Sequence, residues 1–163
     1  MNLPNAILGA VFFMIIFIPI IIINKNLNKK RKQLISKLNE FALRENKSIS
    51  EYDSWTDNTI LGISADKEFL FFYRVINDLK TEIKIPVNQI KNCFIKDYKN
   101  ERKAIESLEL IFELQNESEN IVLEFFKADA KNFIMGEEMK FAKKWRDKIS
   151  EDLPKPKVLL YTI

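Results

Sequence analysis

The chain has 163 residues, 26 Lys and Arg against 23 Asp and Glu, no histidine, one cysteine and three glycines. These counts exclude a Ser-His-Asp triad, any His-containing metal site, an internal disulfide and a four-Cys zinc cage. With glycine only at positions 9, 62 and 136, neither a Walker loop nor a GxGxxG turn can be written. No resident cofactor is expected.

The net charge of +3 conceals an uneven distribution. Residues 1–23 carry no charged side chain, and from Leu3 to Ile23 only Pro4 and Asn5 interrupt an apolar run ending IIFIPIIII. Twenty-one helical residues span about 30 Å, the thickness of a bilayer's hydrocarbon core, and Pro19 is tolerable in such a helix. A buried core helix is the bland alternative, but a small domain has little room for a helix that is apolar all round. A cleaved signal peptide needs a basic n-region and a small-x-small site. Here MNLPNA carries no Lys or Arg, and Ile20 to Ile23 lead directly into NKNLNKKRK. Residues 1–24 therefore read as a retained transmembrane anchor.

Lys25, Lys29, Lys30, Arg31 and Lys32 follow the apolar run and leave residues 33–163 at −2. By the positive-inside rule the anchor is single-pass, with the N-terminus outside and the rest cytoplasmic. The five cations are expected to contact lipid headgroups. A basic junction on a slightly acidic body argues against nucleic acid as a partner.

Residues 25–50 form the basic junction and an amphipathic helix. In KKRKQLISKLNEFALREN (29–46), Leu34, Ile35, Leu38, Phe41 and Ala42 recur at helical spacing. This face is open to three uses: packing on the following domain, pairing with a second copy, or lying on lipid. Two heptads give little support to a coiled coil.

From Thr59 the period changes to two. TILGIS (59–64) and FLFFYRV (69–75) flank the polar turn ADKE and read as a hairpin. EIKIPVNQI, NCFIKDY, SLELIFEL and NIVLEFFK follow, making six sequential candidate strands and hence an antiparallel meander. Pro86 demotes part of the third to an edge or an end. A helix is predicted from Gly136 to Ser150 with Met139, Ala142, Trp145 and Ile149 as its apolar stripe, stopped by Leu153-Pro154-Lys155-Pro156. The closing VLLYTI is apolar enough to dock as a strand or to bind something. The predicted fold class is α+β: transmembrane and juxtamembrane helices, then a curved antiparallel sheet of about six or seven strands over residues 51–153, and a tail from 154 to 163.

LGISADKEFLFFY as first hairpin, IKIPVNQIKNCFI entering a second sheet, SLELIFEL and IVLEFF as late strands, and Trp145 in the last helix resemble bacterial pleckstrin-homology-like domains over residues 54–152. The resemblance implies a helix that plugs one end of the sheet, with its tryptophan filling the mouth. It also implies seven strands against the six counted, the seventh being either hidden near Tyr52–Asp57 or missing. The whole layout, with its basic junction and the Trp55-to-Gly62 segment, resembles single-pass membrane proteins of Bacteroidetes-type bacteria. Phosphoinositide-binding members of the fold carry several Lys and Arg around the first hairpin loop. ADKE offers one lysine between two carboxylates, so that specificity is not expected.

Two features invite a partner. Lys96, Lys99, Arg102 and Lys103 lie in KDYKNERK (96–103), a solvated loop or a second headgroup contact. The pairs Phe71-Phe72 and Phe125-Phe126 put one ring on each sheet face, and Phe72 and Phe126 are candidate interaction-surface rings unless a helix or the rest of a barrel covers them. Cys93, between apolar neighbours and without a histidine base, reads as a buried, inert thiol. Glu109 and Glu113, about 13 Å apart at strand rise, are too distant for a glycosidase pair. The chain is thus expected to be a non-enzymatic, membrane-tethered interaction module that binds a protein partner or forms a homo-oligomer. The alternative is a lipid-responsive domain that contacts anionic headgroups.

Overall fold

The computed structural model describes residues 3–56, 58–115, 119–128 and 135–152. Helix α1 (Leu3–Arg44) is continuous over 42 residues with Pro19 inside it, about 63 Å at the standard rise. It ends in a left-handed cap: Asn46 has φ 57°, and the Lys47 N–H donates to the Ala42 carbonyl at 2.9 Å. Asparagine tolerates this conformation better than most residues. By length and composition α1 is the one described helix able to cross a membrane.

Seven strands follow among the described residues: β1 (Ile49–Trp55), β2 (Thr59–Ser64), β3 (Phe69–Ile76), β4 (Leu79–Pro86), β5 (Ile90–Lys99), β6 (Ile105–Leu114) and β7 (Ile121–Lys127). They form two antiparallel sheets, β1-β2-β3-β4 and β5-β6-β7. Asn77 and Asp78, with φ 49° and 63°, make the two-residue turn between β3 and β4. Helix α2 (Glu138–Asp152) comes last. The predicted strands and terminal helix are present, and β1 adds the strand that the alternation did not display. Residues 116–118, the LPKP stop and VLLYTI lie outside the described residues.

Two apolar clusters result. Between the sheets, Trp55, Leu61, Phe72, Ile85, Leu110, Phe112 and Leu123 pack with Ala142, Trp145 and Ile149 of α2. Trp145 is fully buried. On the outer face of the four-stranded sheet, Ile60, Phe71 and Tyr73 pack against Leu34, Leu38, Phe41 and Ala42 of α1. Of the three uses open to the amphipathic face, the structure displays packing on the domain. Gly62 permits it, because a Cβ there would stand 2.8 Å from Leu38 Cδ2.

Ion pairs bolt both helices down. Arg44 meets Glu82 at 2.6 Å, Lys84 meets Glu45 at 2.5 Å, and Lys47 reaches Asp66 at 2.6 Å and Glu68 at 2.5 Å. From α2, Lys144 meets Asp53 at 2.6 Å and Glu51 at 3.1 Å, and Lys148 also pairs with Glu51. These pairs lie largely in solvent and are screened by it, so they set orientation more than stability.

Candidate functional site

Phe72 and Phe126 are not surface residues. Both are buried between the sheets, at 2% and 5% exposure, which corrects the expectation of an aromatic interaction face. The FF pairs find cover inside the chain in two ways. Phe71 faces outward, but the Phe41 ring meets it edge-on at 5.1 Å. In β7 the register slips between Leu108↔Phe126 and Glu109↔Glu124, leaving Phe125 unpaired. This bulge breaks the alternation and lets both rings enter the core.

Residues 96–103 are not one loop. Strand β5 continues to Lys99, so only residues 100–104 turn. The Asn100 side-chain oxygen accepts from the Arg102 and Ala104 N–H groups at 3.0 Å each. Lys96 lies 4.8 Å over the Tyr98 ring, whereas Lys99 pairs with Asp97 at 2.9 Å on the opposite strand face. Arg102 and Lys103 are exposed in the turn. The four cations therefore do not converge.

The basic junction is helical, and its side chains divide by helical phase. Lys25, Lys29 and Lys32 line a shallow groove with Asn28, Gln33 and Ser36. Their spacing puts these lysines on the side of α1 away from Leu34, Leu38 and Phe41. Arg31 lies on the domain side. With Leu27 and Asn28 it lines a cleft of about 280 Å³, completed by Ser54 and Thr56 at the end of β1 and by Glu137 and Phe141 at the start of α2. Sequence reasoning placed Arg31 among five equivalent cations and missed this cleft, because its other walls come from segments far along the chain. Thr56 stands at φ 56°, unusual for a β-branched residue. Its Oγ1 lies 2.6 Å from Asn58 Oδ1. Phe141 stacks toward Trp55 with ring centroids 6.1 Å apart.

The chemistry elsewhere is quiet. Burial pushes the Cys93 thiol up to about 12, far from a thiolate nucleophile at neutral pH. Among the described residues no three His, Cys, Asp or Glu side chains group to hold a metal. Outside α1, the exposed large apolar side chains among the described residues are Tyr52, Ile76, Leu79, Tyr98 and Val122, of which Leu79, 76% exposed, and Ile76 share the β3–β4 turn.

No family model matches the chain, and no curated protein matches it. Among solved structures it is similar to a pleckstrin homology domain from Shewanella amazonensis SB2B, with 10% identity and a TM-score of 0.43 over 70% of this chain and 98% of that one.

Proposed function

We propose that the chain is a single-pass, membrane-tethered interaction module without enzymatic activity, its pleckstrin-homology-like domain held at the cytoplasmic face of a bacterial inner membrane. The observation that carries this reading is the continuity of α1. One helix contains the uncharged run to Ile23 and also supplies Leu34, Leu38, Phe41 and Ala42 to the domain's outer cluster. Ten helical residues lie between Ile23 and Leu34, a rise of roughly 16 Å. A domain joined through helix rather than flexible linker is held at one height and one rotation, which suits positioning a partner. The pleckstrin-homology-like assignment draws on strands grouped four and three, followed by a helix with a buried tryptophan. The positive-inside rule supports the orientation. The partner is a protein or a second copy of the chain, and the exposed β3–β4 turn with Ile76 and Leu79 is its best-supported contact.

The test has two parts. The full chain should float with liposomes after carbonate washing, and a cytoplasm-active reporter fused after Ile163 should be active. A photo-crosslinker at position 79 in native membranes should give one discrete adduct with a partner or a second copy. Extraction by carbonate, or an active periplasmic reporter, would remove the tether or its orientation.

A second reading, a lipid-responsive domain, is favoured by the single face shared by Lys25, Lys29 and Lys32. It extends to Lys96, Lys99, Arg102 and Lys103 only as separate contacts. Flotation of residues 33–163 on anionic liposomes at low salt tests that extension, and a fragment that stays at the bottom of the gradient ends it.

A further inference from the structure

We infer that the cleft between α1, the end of β1 and the start of α2 is a binding site for a zwitterionic phospholipid headgroup carrying a phosphate and a primary ammonium, namely phosphoethanolamine. The inference rests on the membrane-tether reading, because that reading sets the height of the cleft. Leu27 follows the end of the uncharged run by four residues, about 6 Å of helix. The headgroup layer is about 5–8 Å thick on each side of the hydrocarbon core. Leu27 and Asn28 therefore stand at headgroup level, and Arg31, one turn higher, can reach down to it along its apolar stem.

The wall chemistry selects the class of headgroup. Arg31 is a permanent cation with a planar fork of donors suited to phosphate, and the Asn28 amide offers further donors beside it. Across the cleft Glu137 is a carboxylate. It accepts from Lys140 at 3.2 Å and has lone pairs to spare. The Thr56 hydroxyl has two acceptors in reach, the Trp55 carbonyl at 2.5 Å and Asn58 Oδ1 at 2.6 Å, and whichever takes its proton, its oxygen is left to accept. A cation with donors on one wall and acceptors with a negative charge on the other match a zwitterion. A headgroup with net negative charge would meet Glu137 unfavourably, and a trimethylated ammonium could not donate to it. Leu27, 45% exposed, and Phe141 give the cleft an apolar rim where glycerol and the first acyl carbons would lie. Lys25, Lys29 and Lys32 line the opposite groove and take no part.

The test is lipid retention by the full chain. It is placed in nanodiscs of equal phosphatidylethanolamine, phosphatidylglycerol and phosphatidylcholine, released in mild detergent, and its bound lipids are counted by native mass spectrometry. Phosphatidylethanolamine should be retained about fivefold over phosphatidylcholine, the discrimination that one solvent-accessible hydrogen bond from ammonium to carboxylate can supply. Arg31→Gln should abolish retention, Glu137→Gln should equalise the two lipids, and Lys32→Gln should leave the ratio unchanged. Soluble phosphoethanolamine at equal concentration should not displace the lipid. Displacement would mark a site for a free phosphomonoester instead and overturn the lipid assignment. Retention at bulk ratios, a preference for phosphatidylglycerol, or equal effects of R31Q and K32Q would also overturn it. Failure of the full chain to enter the bilayer is a separate result. It would remove the tether, and this inference with it, whereas entry with unselective retention removes the inference alone.

Discussion

The indole N–H of Trp55 donates a 3.0 Å hydrogen bond to the carbonyl of Phe125, and the two rings stack 4.1 Å apart with 11° between their planes. Trp55 ends the first strand of one sheet, and Phe125 is the bulged residue of the last strand of the other. The bulge that pulls Phe125 out of register thus also frees its carbonyl from the ladder, and Trp55 satisfies it. One side chain closes the sheets at the end nearest the α1–α2 cleft.

Replacing Trp55 by phenylalanine keeps most of the apolar area and leaves the buried Phe125 carbonyl unpaired. The expected loss is about 1–3 kcal/mol, and Trp55→Ala should cost about 3–5 kcal/mol. Trp145 is the internal control: it is fully buried, but its Nε1 has no partner among the described residues. Trp145→Phe removes an unsatisfied donor along with some volume, so it should cost clearly less than Trp55→Phe. Urea denaturation of the two variants decides the order, and equal losses would show that packing alone explains both.

Gly62 sets the approach of α1. An added Cβ would lie 2.8 Å from Leu38 Cδ2 and 3.1 Å from the Glu51 carbonyl oxygen. The leucine tip can rotate away, but the backbone oxygen cannot. Gly62→Ala should therefore destabilise by about 1–3 kcal/mol through overpacking. Combining it with Leu38→Ala should recover part of that loss, a coupling that a double-mutant cycle measures. Additive effects would mean that α1 does not rest on Gly62.

The structure also explains which parts were legible in the sequence. β6 and most of β7 have one apolar face against a core, so alternation displayed them, and the α2 stripe showed at helical spacing. β2 and β3 are covered on both faces and stood out as apolar runs bounded by a polar turn. β1 escaped because Glu51 and Asp53 share the parity of inward-facing Trp55. Their carboxylates are matched there by Lys148 and Lys144 of α2, partners nearly a hundred residues away. The bulge at Phe125 was invisible for a similar reason, since nothing local distinguishes FF in register from FF out of it. Within the candidate cleft, Arg31 was visible as charge, but Ser54, Thr56 and Glu137 acquire meaning only when the fold brings them to it.

Stability should fall on the acid side. Hydrogen bonds from Lys47, the Ser64 hydroxyl and the Glu68 N–H hold the Asp66 carboxyl well below its ordinary 3.8. Hydrogen bonds from Lys148 and Lys144 hold Glu51 below 4.5. Both groups bind fewer protons folded than unfolded, so their contribution is complete above the unfolded values and is lost as pH falls through them. Melting temperature should hold steady from pH 8 to 6, where the chain has no histidine to titrate, and decline below about pH 5. Lys47→Gln should make that decline shallower by removing the first cause at Asp66. An unchanged acid limb in this variant would mean that the pair contributes nothing.

Cys93 makes the alkaline side sensitive too. Burial raises its thiol from 9.0 to about 12, so between those values the unfolded chain ionises and the folded one does not. Folded protein then holds the extra proton, and stability falls as pH rises past 9.0. Cys93→Ala should lose some stability at pH 7 by leaving a small cavity, and should show a flatter alkaline limb than the parent protein. The same burial predicts that a thiol reagent at neutral pH labels native protein no faster than the chain opens. Labelling should accelerate in step with urea-induced unfolding, and rapid labelling of the folded chain would place the sulfur at the surface instead of between the sheets.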